Sequence, residues 1–343
     1  MKVPNTRGQG NCDTDHRTLF GTMLRYKVHL PVSSASPMPT RTFSSFEAFF
    51  AANLHSDLRG MVLGRRRENW VMTQLAINKL SVQWGRAGSS VVVEGAAKPG
   101  GVSFFLPTQS PVGISGNGHR LDESSLVINQ TGDEFCIAND SSRPWFSVYV
   151  PYETLAGGDA TTPVPSMHGF VQVPLARIQR FRSVIGQFDE AVHRAFADFE
   201  SAAAQTAAEQ KLVPEIRSLL AVPQEVEPMH GRHSIPRRQI VHTSMDFVDQ
   251  HVGEYLSVAQ LATAAGVSER TLRDAFQHCF GLAPVRYLNR RALHQVRRAL
   301  KAANPSVATV TQVASEFGVW ELGRFARDYR NLFGELPSET LRH

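Results

Sequence analysis

Residues 266–281, GVSERTLRDAFQHCFG, are echoed at 318–334 by GVWELGRFARDYRNLFG. Leu261, Ala262 and Gly266 match Val313, Ala314 and Gly318 at a separation of 52 residues. Leu272, Phe276, Phe280, Gly281 and Pro284 match Phe325, Tyr329, Phe333, Gly334 and Pro337 at 53. Each unit reads as a short helix, a glycine turn and a second helix whose apolar residues recur every four positions. Ala262 and Ala314 fall where the two helices of a unit must cross closely. Gly266 and Gly318 fall in the turn, where a left-handed backbone is cheapest without a Cβ. The pattern is that of two helix-turn-helix units in one chain.

The apolar stripe of each second helix faces its own unit and leaves the opposite face for a groove. In the first unit that face holds Arg270, Arg273 and Asp274, at i, i+3 and i+4. An arginine fork matches guanine O6 and N7, and the carboxylate accepts from a cytosine amino group or holds a neighbouring arginine. In the second unit the face holds Gly323, Arg324, Ala326 and Arg327, small residues that permit close approach and offer less base readout. Arg286, Arg290, Arg291, Arg297, Arg298 and Lys301 lie in and just after the linking helix PVRYLNRRALHQVRRALK, placed for phosphates or solvent; Arg298 is the expected phosphate contact. From Arg232 onward there are 15 Lys and Arg against 10 Asp and Glu, which accounts for the whole net charge of +5. That asymmetry fits an anionic partner, double-stranded DNA.

The stretch VASEFGVWELGRFARDYRNLFGELPSETLR carries FG, Phe325, Arg327, Tyr329 and FGELPS in a fixed order. In this, residues 237–343 resemble the DNA-binding domain of AraC/XylS-type transcriptional regulators. Val319 stands where that family usually has Phe, and Thr340 where it often has Tyr. The resemblance implies two helix-turn-helix units joined by one long helix, reading major-groove faces one helical turn, roughly 34 Å, apart. It further implies two direct-repeat half-sites near a promoter, with activation, and so contact with RNA polymerase, as the expected output.

The rest of the chain has a different texture. Residues 1–40 carry Pro, Ser, Thr and Gly without a period and are expected to be disordered, with Met23 or Met38 as alternative starts. From about Val62 to Pro151 come short runs such as SVVVEG, GVSFFLP, SSLVINQ, EFCIAND and WFSVYVP, rich in β-branched and aromatic residues. Their spacing predicts a compact antiparallel barrel or sandwich. Leu175, Ile178, Phe181, Ile185, Phe188, Val192, Phe196 and Phe199 then form one stripe on a long helix. With a second helix around AEQKLVPEIRSLLAV it makes a hairpin that serves either a homodimer seam, the preferred reading, or its own barrel. Residues 223–236, PQEVEPMHGRHSIP, have the composition of a linker.

The expected fold class is therefore α+β with two domains. Residues 41–222 form an antiparallel β-barrel with a helical hairpin, similar to the cupin-like ligand-binding and dimerisation domain of such regulators. Residues 237–343 form an all-α domain with two helix-turn-helix units. A small barrel has an interior able to hold one small-molecule effector, for which Trp84, Phe104, His119 and Trp145 are the candidate lining. A metal-dependent cupin needs paired histidines where this chain has the lone His119, so no metal, cofactor or catalytic residue is expected. Cys136 sits in an apolar strand, which argues against a thiol-based DNA-repair enzyme. Two other readings stay open: a DNA-binding protein with a cupin-like enzyme at its N-terminus, and a ligand-independent architectural DNA binder. The chain has no run of about 18 apolar residues and no apolar leader, so a cytoplasmic location without a membrane partner is expected.

Overall fold

A computed structural model describes residues 40–53, 56–65, 68–107, 113–139, 144–157, 169–221, 235–254 and 256–342. The expected disorder of 1–40 and the expected linker 223–236 lie almost wholly outside the described residues. The chain begins β1 (Thr40–Phe43), α1 (Phe46–Ala51), β2 (Ser56–Val62), β3 (Trp70–Ile77), β4 (Leu80–Arg86), β5 (Val91–Ala97) and β6 (Gly101–Pro107). It continues β7 (Ile114–Gly116), β8 (His119–Arg120), β9 (Ser125–Asn129), β10 (Glu134–Asn139), β11 (Pro144–Pro151), α2 (Tyr152–Ala156) and β12 (Gly169–Gln172). The hairpin α3 (Leu175–Phe199) and α4 (Ala202–Leu220) follows. The last helices are α5 (Arg237–Gln250), α6 (Val258–Ala264), α7 (Glu269–Phe280), α8 (Pro284–Ala302), α9 (Val310–Glu316), α10 (Leu322–Phe333) and α11 (Pro337–Arg342).

The strands form two antiparallel sheets, one in the order β1-β3-β4-β11-β6-β9-β12 and the other β2-β5-β10-β7-β8. Both are covered on their outer faces, by different partners. Leu75, Val82, Phe104, Ile128 and Val148 of the larger sheet pack against Ile178, Phe181, Ile185, Leu212 and Ile216 of α3 and α4. The stripe on α3 is thus buried against the chain's own sheet and hairpin, so it is not a free dimer seam. On the smaller sheet, Met61, Val92, Cys136 and Ala138 pack against Phe276, Phe280 and Tyr287 of the helical domain. Side chains of a strand alternate between faces, so Val91 and Val93 point between the sheets while Val92 and Glu94 point at the helices. One sheet is a shared wall.

Helix α1 closes one end of the sandwich. Ser45 caps it by accepting from Ala48 N at 3.2 Å, and Phe49 and Phe50 pack on Trp70. Gly60 makes this approach possible, because a Cβ there would stand 2.0 Å from the Phe50 ring.

Candidate nucleic-acid interface

Both helix-turn-helix units form for local reasons. Ser257 with Gln260 and Thr309 with Gln312 make capping boxes at the starts of α6 and α9, each satisfying otherwise orphaned amides. Gly266 and Gly318 turn the chain at φ 67° and 72°, a conformation a Cβ would strain. Ser268 caps α7. Leu272, Phe276 and Phe280 then bury one face of α7, as Phe325, Tyr329 and Leu332 bury one face of α10. Ala262 and Ala314 are buried at the crossings. Thr340, which stands where a tyrosine is common, is itself buried; its hydroxyl meets Tyr329 Oη at 2.8 Å and donates to Glu335 Oε1 at 2.6 Å.

The opposite faces are exposed and carry arginines. Arg270 and Arg273 project from the first turns of α7, with Arg273 held to Glu269 at 2.8 Å. Asp274, one turn on from Arg270, is otherwise engaged. It accepts from Arg237 at 3.0 Å and lies beside His278, and the Arg237 hydrogen bond holds its carboxyl below the ordinary range. Of the two roles open to it from sequence, it holds an arginine, and that arginine comes from α5. On α10, Arg324 lies between Glu321 at 3.6 Å and Asp328 at 3.7 Å, and Arg327 lies 3.9 Å from Asp328. Sequence reasoning passed over Trp320, which is 67% exposed just before α10. Only its place before the second helix of its unit could have marked it.

The linking helix α8 departs from its expected use. Arg298 and Arg286 are exposed, but three of its cations hold the molecule together. Arg291 is ion-paired with Asp249. Arg297 reaches Glu47 of α1 at 3.3 Å, pairs with Glu335, and lies over the Phe333 ring at 4.6 Å. Lys301 reaches Glu47 at 2.7 Å. Burial would raise the Glu47 carboxyl, but the Lys301 hydrogen bond and the Arg297 charge bring it below its ordinary range. Arg291 and Arg297 are thus not available to phosphates, and the exposed Lys301 is engaged by Glu47. Arg298→Ala is expected to weaken binding to any duplex alike and to lower the salt slope by about 1; titrations at several salt concentrations measure both.

The same interface buries two more titratable groups. His294 donates from Nε2 to the carbonyl of Val62 on β2 at 3.0 Å, its ring between Phe46 and Phe333. Burial pushes its pKa down to about 4. Glu94 of β5 faces Arg291, Arg59, Glu134 and Asp249; burial dominates and pushes it up to about 8. The folded protein therefore keeps a proton on Glu94 that the unfolded chain releases, and stability falls as pH rises from 4.5 to about 8. His294 acts the other way, its contribution being lost as pH falls from 6.5 towards about 4. Of the two, Glu94 alone acts between pH 6.5 and about 8. Glu94→Gln is expected to flatten the fall in melting temperature over that window; an unchanged slope would contradict this.

Between the sheets lies a cavity of about 80 Å³. Trp145 lines it with Phe49 and Phe50 of α1, and Phe104 borders it while its ring packs on Phe181 of α3 at 5.6 Å. The other two candidates lie elsewhere. Trp84 is turned towards α3, donating from Nε1 to Asp189 at 3.0 Å, and His119 is exposed, stacked on Phe170 at 4.6 Å. Ser103 and Asn129, missed from sequence, also line the cavity. Cys136 and Cys279 are free, buried neighbours at the domain interface; burial raises both thiols, Cys279 to about 12, so neither is a thiolate at neutral pH.

Comparisons with known proteins bear on the helical domain. A family model described as "Helix-turn-helix domain" matches residues 261–343. Over 103 residues the chain is 39% identical to the "Probable thc operon regulatory protein" of Rhodococcus erythropolis, covering 30% of this chain and 31% of that protein. Over 98 residues it is 37% identical to the "XylDLEGF operon transcriptional activator" of Pseudomonas putida, covering 29% and 30%. The match spans about a third of the length of these relatives. Among solved structures, the AraC-like transcriptional activator CuxR aligns over 80% of this chain and 98% of its own at 12% identity and a TM-score of 0.40. The C-terminal third of the chain is a helix-turn-helix domain of the AraC/XylS family.

Proposed function

We propose that the protein is a sequence-specific DNA-binding regulator of transcription, an activator, whose sheet domain takes a small-molecule effector. The observation that carries this reading is the pair of capped helix-turn-helix units, each burying its aromatic stripe and exposing arginines on its second helix. Arg270 and Arg273 would read bases, with Arg324 and Arg327 contributing a weaker second reading because acidic neighbours compete for them. Trp320 would pack on sugar or a thymine methyl beside α10. Arg298 would meet phosphate. The names of two relatives support operon regulation, and one of them activation; activation would require contact with RNA polymerase.

Coupling between effector and DNA would run through packed elements. Phe49 and Phe50 touch the cavity while Phe46 and Glu47 of the same helix touch α8 and the end of α10. The shared sheet does likewise through alternate residues of β5. Either element can bias how the helical domain is held, provided the effector distinguishes the two arrangements. A homodimer, if formed through the α3–α4 hairpin, would use that hairpin's polar outer face. No helix among the described residues is long and apolar enough to cross a membrane.

Selective enrichment of random duplex DNA by the full chain tests the reading. A motif of two boxes about ten base pairs apart is expected. Absence of any enriched sequence would contradict it.

A further inference from the structure

The cavity between the sheets says what it would bind. Its wall is aromatic and aliphatic over most of its area, from Phe49, Phe50 and Trp145 to Met72 and Ile137. One strip is polar. Ser103 of β6 and Asn129 of β9 are register partners, side by side on adjacent strands. They are 3% and 4% exposed, and Ser103 Oγ and Asn129 Oδ1 have no hydrogen-bond partner within the protein. Buried polar atoms are nearly always satisfied, and leaving them unmade costs their full desolvation. Two such atoms on one strip, aimed into a cavity, are the polar contacts of a ligand site.

The lining also excludes a class of ligand. Among the described residues, none that lines the cavity is Lys, Arg, His, Asp or Glu. A carboxylate or an ammonium would be buried there without a counter-charge, which is prohibitive. The volume sets a size. At about 80 Å³ the cavity is smaller than the engineered apolar cavity of about 150 Å³ that accepts benzene, so one ring would fill it after a small outward shift of Phe49 and Phe50.

We propose that the cavity binds an uncharged, mainly apolar molecule of about one ring that donates a hydrogen bond to Asn129 Oδ1 and shares one with the Ser103 hydroxyl. This rests on the reading of the sheet domain as an effector domain. A neutral donor-bearing ring satisfies both orphaned atoms and the aromatic wall together. A charged isostere satisfies the wall at the cost of a bare charge, and a pure hydrocarbon leaves the polar strip unmade.

Calorimetric titration of the full chain with phenol, benzamide, benzoate and toluene tests this. Phenol or benzamide is expected to bind, with benzoate and toluene about tenfold weaker or more, the cost of one unmade buried hydrogen bond or greater. Asn129→Leu and the milder Ser103→Ala remove an unsatisfied atom, so each ligand-free variant is expected to melt no lower than the parent. Each should lose about tenfold in phenol affinity while toluene is unaffected. Benzoate binding as tightly as benzamide would overturn the ligand class. So would unchanged phenol affinity in both variants, which would mean that the strip holds only water, or no binding of any of the four probes. The enriched DNA site, titrated in the same samples, separates the two readings. Phenol that binds without altering DNA affinity would leave the ligand class standing and remove the effector reading.

Discussion

Arg291→Ala is expected to destabilise the protein by about 3–5 kcal/mol, the usual result of stripping the cation from a buried carboxylate. Arg291 is 3% exposed and is ion-paired to Asp249 of α5, itself largely buried. It is also the leading positive charge acting on Glu94 across the domain interface. Its removal leaves the Asp249 carboxylate without its ion-pair partner and Arg59 as the remaining positive charge acting on the Glu94 carboxyl. The loss should appear as a lower denaturant midpoint at unchanged slope. Replacing Asp249 by Asn in the same variant is expected to restore part of it, because the orphaned charge and not the lost packing dominates. A loss below about 1 kcal/mol would place Arg291 among ordinary surface substitutions and would contradict the buried pairing.

The second large effect is on DNA. Arg270→Ala and Arg273→Ala are each expected to weaken binding to the enriched site by about 1–3 kcal/mol, with little change on random duplex at the same salt. Both side chains are exposed on the outer face of a helix whose inner face is closed by Leu272, Phe276 and Phe280, so their loss would remove the proposed base contacts and leave the fold intact. Arg273 must leave Glu269 to make its contact, which places its effect towards the lower end of that range. Equal losses on specific and random DNA, measured by fluorescence anisotropy, would make both arginines phosphate contacts instead.

The helical domain was the most legible part of the chain because its determinants are local. Caps three residues apart, a glycine at each turn and aromatic residues four apart all act within one or two turns. The use of α8 was not legible. Its basic residues are visible in sequence, but Glu47, Asp249 and Glu335, which engage Arg297, Arg291 and Lys301, come from elements 38 to 254 residues away. The sheet domain was readable as short strands and not as faces. Strands such as β6, β9 and β10 are buried on both sides, so hydrophobicity does not distinguish the side that faces the cavity from the side that faces a helix. That is why Trp84, on the helix-facing side, was drawn into the candidate lining while Ser103 and Asn129 were passed over. The stripe on α3 marked an apolar face correctly, and its period carried no information on what covers it.

The most direct test of two reading units acting on one site is to take the enriched sequence and insert about five base pairs between its boxes, half a helical turn. With α7 and α10 held in one packed domain, affinity is expected to fall to the single-box level, and an insertion of a full turn is not expected to restore it. Affinity unchanged by the half-turn insertion would show that only one unit reads bases, and would contradict the role assigned here to Arg324, Arg327 and Trp320.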